Sequence, residues 1–242
     1  MTPLTTTPSY TGFRFPQDII AHAVWLYFRF SLSYRDVEEL LAERGVVVSY
    51  EPIRQWCLKF GQPAANALRR RRPRTGDTWY LDAVFLKING TTAYVWRAVD
   101  QDGHVLDMLV QSRRNKAAAK KFFRKLLTGC QYVPRVLITD KLASSGAAKR
   151  EVLPSVEHRQ HQRLNNRAEH SHQPTRQREP GTLWVLRCFK SAGHAQRFLC
   201  AFGAIREHVC PRRHRLTAGE YRQERTHRLH VWNEVTGVQL AA

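Results

Sequence analysis

Apolar positions in the first sixty residues recur at the three- and four-residue spacing of helices that bury one face. Ile20, Ala23, Val24, Tyr27 and Phe28 share one side of a first helix. The stretch SYRDVEELLAERG predicts a second, capped by Ser33 and ended by Gly45. SYEPIRQWCLKFG predicts a third, with Ser49 as its cap and Ile53, Trp56, Cys57 and Phe60 facing inward. Pro52 falls in the first turn of that helix, where a missing N–H costs nothing. Three short helices joined by tight turns suggest a helix-turn-helix domain over residues 12–62. Glu51, Arg54, Gln55 and Lys59 would then project from the third helix, and Arg54, Gln55 and Lys59 can reach base edges or phosphates. A plain helical bundle with a solvated charged face would show the same pattern.

The period changes after GQPAANALRRRRPRTG, where prolines and glycines surround four consecutive arginines. Residues 63–76 read as a basic linker in which Arg69, Arg70, Arg71 and Arg72 form a phosphate-binding patch. Beyond it TWYLDAVFLKI is a strand, Asn89-Gly90 signals a two-residue hairpin, TAYVWRAVD returns, and HVLDMLVQS follows the Asp102-Gly103 turn. NKAAAKKFFRKLL predicts an amphipathic helix with Ala119, Phe122, Phe123, Leu126 and Leu127 inward, and RVLITD a buried strand. A right-handed helical crossover would lay that last strand parallel to the first, so that Asp82 and Asp140 can face each other.

Composition narrows the partners. Lysine and arginine number 39 against 20 acids, a formal charge of +19, and such self-repulsion is best tolerated beside a polyanion. No apolar stretch is long enough to span a bilayer and the N-terminus lacks a signal-peptide pattern, so the chain is expected to be soluble and intracellular, with nucleic acid and not membrane as its partner. The five cysteines are scattered without a C-x-x-C pair, which argues against disulfides. Cys188, His194, Cys200, His208, Cys210 and His214 are too loosely spaced for a structural zinc site.

A carboxylate amid the apolar run of a central strand is costly unless satisfied, and two that meet repel. A divalent cation resolves both problems, and hard oxygen ligands suit Mg²⁺. Two such ions roughly 4 Å apart clamp the attacking and leaving oxygens of phosphoryl transfer, and holding the second needs a third carboxylate. Residues 158–178, HRQHQRLNNRAEHSHQPTRQR, hold five arginines, four histidines and a single acid, Glu169. That acid could merely pair with a neighbouring arginine, or it could complete the metal site.

In WYLDAVFLKI, YVWRAVDQDGHVLD, SRRNKAAAKKFFRKLL, RVLITDK, EHRQHQRLNNRAEHSH and CFKSAGHAQRFL, taken in order, the chain resembles DDE transposases of insertion-sequence family 6. The resemblance spans about residues 13–222 and implies an α/β protein: a helix-turn-helix head followed by a ribonuclease-H-like, integrase-type catalytic domain with a mixed sheet. The catalytic domain is expected over 77–225 and a tail over 226–242. The resemblance makes Asp82, Asp140 and Glu169 the catalytic and metal-binding triad, served by two Mg²⁺ ions for which Mn²⁺ can substitute. Lys141, Arg167 and Arg176 join the DNA contacts, Arg176 lying seven residues after Glu169. Ala83 follows Asp82 where many relatives place Glu, but it points to the other face of the strand. The expected partners are terminal inverted repeats and target DNA, the expected assembly a homo-oligomer on paired ends, and the expected setting a prokaryotic cytoplasm at the nucleoid. A transposase-derived DNA-binding protein without activity and a ribonuclease-H-like nuclease stay open as alternatives.

Overall fold

A computed structural model describes residues 8–72, 74–140, 143–160, 168, 189–209 and 216–238. The chain divides into two compact units, Met1–Arg72 with Cys200–Ala242, and Pro73–Leu199.

The first unit opens with helices α1 (Gln17–Phe30), α2 (Tyr34–Ala42) and α3 (Tyr50–Arg70). Ser33 and Asp36 close a capping box at the start of α2: Asp36 N–H donates to Ser33 Oγ at 3.1 Å and Ser33 N–H to Asp36 Oδ2 at 2.8 Å. Ser49 stands at the N-cap of α3 but makes no side-chain cap bond. The linker expected over 63–76 is instead helix as far as Arg70. Pro63 removes one backbone donor, yet Ile53, Trp56, Cys57, Phe60, Gly61, Ala64, Ala65 and Leu68 continue a single buried face straight through it. Burial along that face outweighs the loss of one turn's hydrogen bond.

Gly61 is in that face for a steric reason. A Cβ there would lie 2.6 Å from Cε2 of Phe28, whose ring is buried. Gly61→Ala should therefore lower stability by about 1–2 kcal/mol, overpacking outweighing the better helix propensity of alanine. Urea denaturation of the purified chain measures this; equal or greater stability would mean that the Phe28 ring moves aside freely.

Two further helices complete this unit. The boundary between units falls within α6 (Ala192–Val209), and α7 (Ala218–Thr236) follows. The expected tail over 226–242 is thus helical through Thr236 and ends on Gly237 in the left-handed region, φ 73°. Thr217 and Glu220 form its capping box. The α7 helix packs on α3, buries Trp232, Val235 and Thr236, and offers Glu234 to Arg71. Arg228 donates to the carbonyls of Glu207 at 2.9 Å and His208 at 2.7 Å, satisfying acceptors left open at the C-terminus of α6. By their contacts the residues from Cys200 onward group with the helical unit, whereas the catalytic domain expected from the sequence runs to residue 225.

The second unit is a five-stranded mixed sheet in the order β3-β2-β1-β4-β5. Strands β1 (Thr78–Ile88), β2 (Thr91–Asp100) and β3 (Val105–Gln111) form an antiparallel meander. Asn89 and Gly90 both take positive φ, 49° and 78°, as the tight hairpin between β1 and β2 requires. Helix α4 (Lys116–Cys130) begins at Asn115, whose Oδ1 accepts from Ala118 N–H at 3.0 Å, and leads to β4 (Val136–Thr139), which lies parallel to β1. Beyond the expected elements come α5 (Ala143–Val152) and a fifth strand, β5 (Glu157–Gln160), parallel to β4. The start of the basic run at 158 is therefore strand. Trp79, Leu81, Trp96, Phe122, Phe123, Leu126 and Leu137 anchor the core between the sheet and α4. No described helix is long and apolar enough to cross a membrane.

Candidate active site

Parallel pairing of β1 with β4 runs from Thr78 opposite Val136 to Leu81 opposite Thr139. The pairing stops there, and the next residue on each side is an aspartate, Asp82 within β1 and Asp140 just past the end of β4. Alternation along β1 sends Leu81 and Ala83 into the core while Asp82, partly buried, takes the opposite face. Asp82 Oδ1 accepts the N–H of Ala83 at 2.8 Å. Ala168, the residue before Glu169, is helical and fully buried, but Glu169 itself lies outside the described residues, as do Lys141, Arg167 and Arg176. Among the described residues no group of three His, Cys, Asp or Glu comes together to hold a metal ion.

Two arginines that periodicity did not single out stand beside the aspartates. Arg97 on β2 is directly opposite Asp82, is only 2% exposed, and donates from Nε to Met108 Sδ at 3.2 Å. Arg114, in the turn between β3 and α4, donates from an Nη to Asp140 Oδ2 at 3.0 Å. The β1–β2 register sets Arg97 opposite Asp82, and a side-chain bond brings Arg114 to Asp140 from 26 positions away in sequence. Gln196 of α6 was also missed: its Oε1 accepts Val110 N–H at 2.6 Å and its Nε2 donates to the Met108 carbonyl at 3.0 Å. It thus satisfies the outer edge of β3 as a neighbouring strand would.

The expected DNA contacts of the helical unit are differently engaged. Arg54 grips Glu51 through two bonds, Nε to Oε2 at 2.9 Å and Nη2 to Oε1 at 2.6 Å, and Gln55 donates to the same carboxylate at 3.3 Å. The Arg54 and Gln55 hydrogen bonds hold the Glu51 carboxyl down at about 2, so it stays ionised at every pH relevant to DNA. Lys59 keeps its ammonium 4.4 Å from the centroid of the Phe13 ring. Of the four-arginine run, Arg71 pairs with Glu234, Arg72 with Glu207 at 2.8 Å, and Arg69 donates to the Cys200 carbonyl at 2.5 Å. Among the described residues Arg70 reaches only its own helix, donating to the Asn66 carbonyl at 3.4 Å. The run therefore clasps α3 to α6 and α7, because helix, not linker, carries it to carboxylates and a carbonyl of the same unit.

The loosely spaced histidines and cysteines also have other neighbours. His194 sits edge-on to Phe189, with ring centroids 5.4 Å apart, and His208 Nε2 donates to the Arg228 carbonyl at 2.9 Å. Cys188, Cys210 and His214 lie outside the described residues.

Set against known proteins, residues 76–211 match the family model of a DDE domain of insertion-sequence transposases. The chain belongs to the DDE transposases of insertion-sequence family 6. It is 31% identical over 165 residues to the transposase for insertion sequence-like element IS431mec of Staphylococcus aureus strain Mu50, an alignment covering 66% of this chain and 73% of that protein. It is 30% identical, with the same coverage, to the transposase for insertion sequence element IS257 in transposon Tn4003 of Staphylococcus aureus. Among solved structures, the HTLV-2 integrase catalytic core domain in complex with magnesium matches with a TM-score of 0.31 at 13% identity, covering 54% of this chain and 98% of that one. A chain of the simian T-cell lymphotropic virus intasome matches with a TM-score of 0.35 at 14% identity; 59% of this transposase is covered and it spans 58% of that chain. This transposase is therefore an enzyme of the DDE type, and the stretch matched by the DDE domain includes its mixed five-stranded sheet.

Proposed function

We propose that this transposase binds the terminal inverted repeats of an insertion sequence and catalyses metal-dependent cleavage at those ends and transfer of the cut strand to target DNA. The observation that carries the reading is the placement of Asp82 on β1 and Asp140 just after β4, each one residue past the last paired position of the two strands, inside the stretch matched by the DDE domain. Two adjacent carboxylates repel unless a cation lies with them, and their hard oxygens fit Mg²⁺. Asp82, Asp140 and Glu169 would hold two such ions, with Mn²⁺ able to replace them, and the bound metal would supply charge stabilisation to the attacking and leaving oxygens.

The protein's own residues do the rest. The rigid pair of strands fixes the aspartates, while Lys141, Arg167 and Arg176 hold phosphate oxygens so that water or a 3′-hydroxyl approaches the phosphodiester in line. The three-helix head acts as a helix-turn-helix module in which Arg54, Gln55 and Lys59 read the end sequence and Arg70 adds a phosphate contact. Joining two ends requires at least two active sites, so the working form is a homo-oligomer on paired ends in a bacterial cytoplasm, at the nucleoid.

A ribonuclease-H-like nuclease would use the same carboxylates but would cut without joining. Purified protein incubated with labelled element ends, a target plasmid and Mg²⁺ separates the two. Joined products that carry the labelled 3′ end support transposition, and cleaved but never joined ends exclude it.

A further inference from the structure

One cation beside the aspartates has a donor left unsatisfied among the described residues. The Nε of Arg114 is buried and has no acceptor among the described residues, although an Nη of the same guanidinium bonds Asp140. A guanidinium carries five N–H donors in a fixed fork, and a buried donor left without an acceptor is costly. The nearby lysines cannot take its place on Asp140 without loss, because Lys116 and Lys120 both pair with Glu151. The first turn of α4 holds no acid that could draw Arg114 away.

We propose that Arg114 is a further catalytic residue, which neutralises Asp140 in the resting protein and gives its fork to the non-bridging oxygens of the scissile DNA phosphate when Asp140 is committed to metal. This rests on the reading of Asp140 as a metal ligand. Arg114 and Asp140 are 33% and 27% exposed, so their pair is weak enough to be exchanged, with a worth of about 1 kcal/mol or less. A phosphate accepts the same planar fork through two parallel bonds and supplies an acceptor that Nε does not find among the described residues. Arginine and metal thus compete for Asp140 in the free protein and cooperate once DNA is bound.

The test measures Mn²⁺ binding to the full chain without DNA, by the loss of the free-ion electron paramagnetic resonance signal, and end cleavage at saturating Mn²⁺. Arg114→Gln should bind Mn²⁺ about two- to fivefold more tightly, since a competing cation is gone, and cleave about a hundredfold more slowly. A purely structural arginine would not tighten metal binding when removed, so unchanged or weaker Mn²⁺ affinity, or a wild-type cleavage rate, overturns the proposal. Should Arg114→Gln not fold, Arg114→Lys decides: it keeps the charge but not the fork, and a cleavage rate at least about tenfold below wild type supports the role while a wild-type rate refutes it. Wild-type protein that binds no Mn²⁺ overturns the metal reading and this inference together. Mn²⁺ binding that is lost in Asp140→Asn but indifferent to Arg114→Gln overturns this inference alone.

Discussion

Asp82→Asn, Asp140→Asn and Glu169→Gln should each leave folding and end binding nearly intact while lowering strand cleavage and joining in Mg²⁺ by on the order of a hundredfold or more. Each change keeps size and polarity and removes only charge. Asn at 82 retains an oxygen for the N–H of Ala83, and the site is on the face of β1 turned away from the core. Asn at 140 loses the ionic bond to Arg114, a contact about one-third exposed and worth about 1 kcal/mol or less, so thermal melting should shift little. If Glu169 were only a surface ion pair, its loss would cost no more than that and would not touch the rate. Combining two of the substitutions should add little, since one missing ligand already disables the unit. Cleavage of labelled ends, followed beside circular dichroism and a gel-shift assay, provides the measurement. A Glu169→Gln protein that joins ends at the wild-type rate would show that the third ligand lies elsewhere.

Where burial has a regular period, the fold was legible in the sequence. The inward faces of α1 and α3 and the two-residue hairpin at Asn89-Gly90 follow from spacing and turn chemistry alone. The continuation of α3 was hidden because Gly61 and Pro63 look like breakers, and only the packing of Gly61 against Phe28 explains why glycine is there. Strand β5 reads EHRQ, with no buried residue; backbone pairing to β4 makes it a strand, and no side-chain period reports that. Helix α7 buries just Trp232, Val235 and Thr236 and is held by Arg228 and the Arg71–Glu234 pair, contacts between residues remote in sequence. The same division runs through the site. An aspartate inside TWYLDAVFLKI stands out from its apolar neighbours, whereas Arg97 and Arg114 look like any basic residues until strand register sets the first opposite Asp82 and a side-chain bond brings the second to Asp140.

Replacing Arg54, Gln55 and Lys59 together with alanine should abolish preference for the terminal repeat while leaving weak, salt-sensitive binding to any DNA. A good bidentate side-chain contact to a base discriminates by about 1–3 kcal/mol, so losing even one such contact removes roughly a fivefold to hundredfold preference. None of the three is itself a buried core residue of α3, although Lys59 packs over the Phe13 and Phe60 rings, so circular dichroism of the triple variant accompanies the binding measurement. The Glu51 carboxylate holds the fork of Arg54 and the amide of Gln55 in place before DNA arrives, which reduces the ordering cost of binding. Residual affinity would come from Arg70 and the basic catalytic unit through phosphate contacts alone, and these read no sequence. Most of the Arg69–Arg72 run should contribute little to it, since Arg71 and Arg72 are already paired with Glu234 and Glu207. Arg71→Ala and Arg72→Ala should accordingly weaken the helical unit more than they weaken DNA binding. Gel-shift titrations of cognate and scrambled ends at two salt concentrations check this: equal binding of both ends by the wild type, or a preference that survives in the triple variant, would remove α3 from sequence recognition.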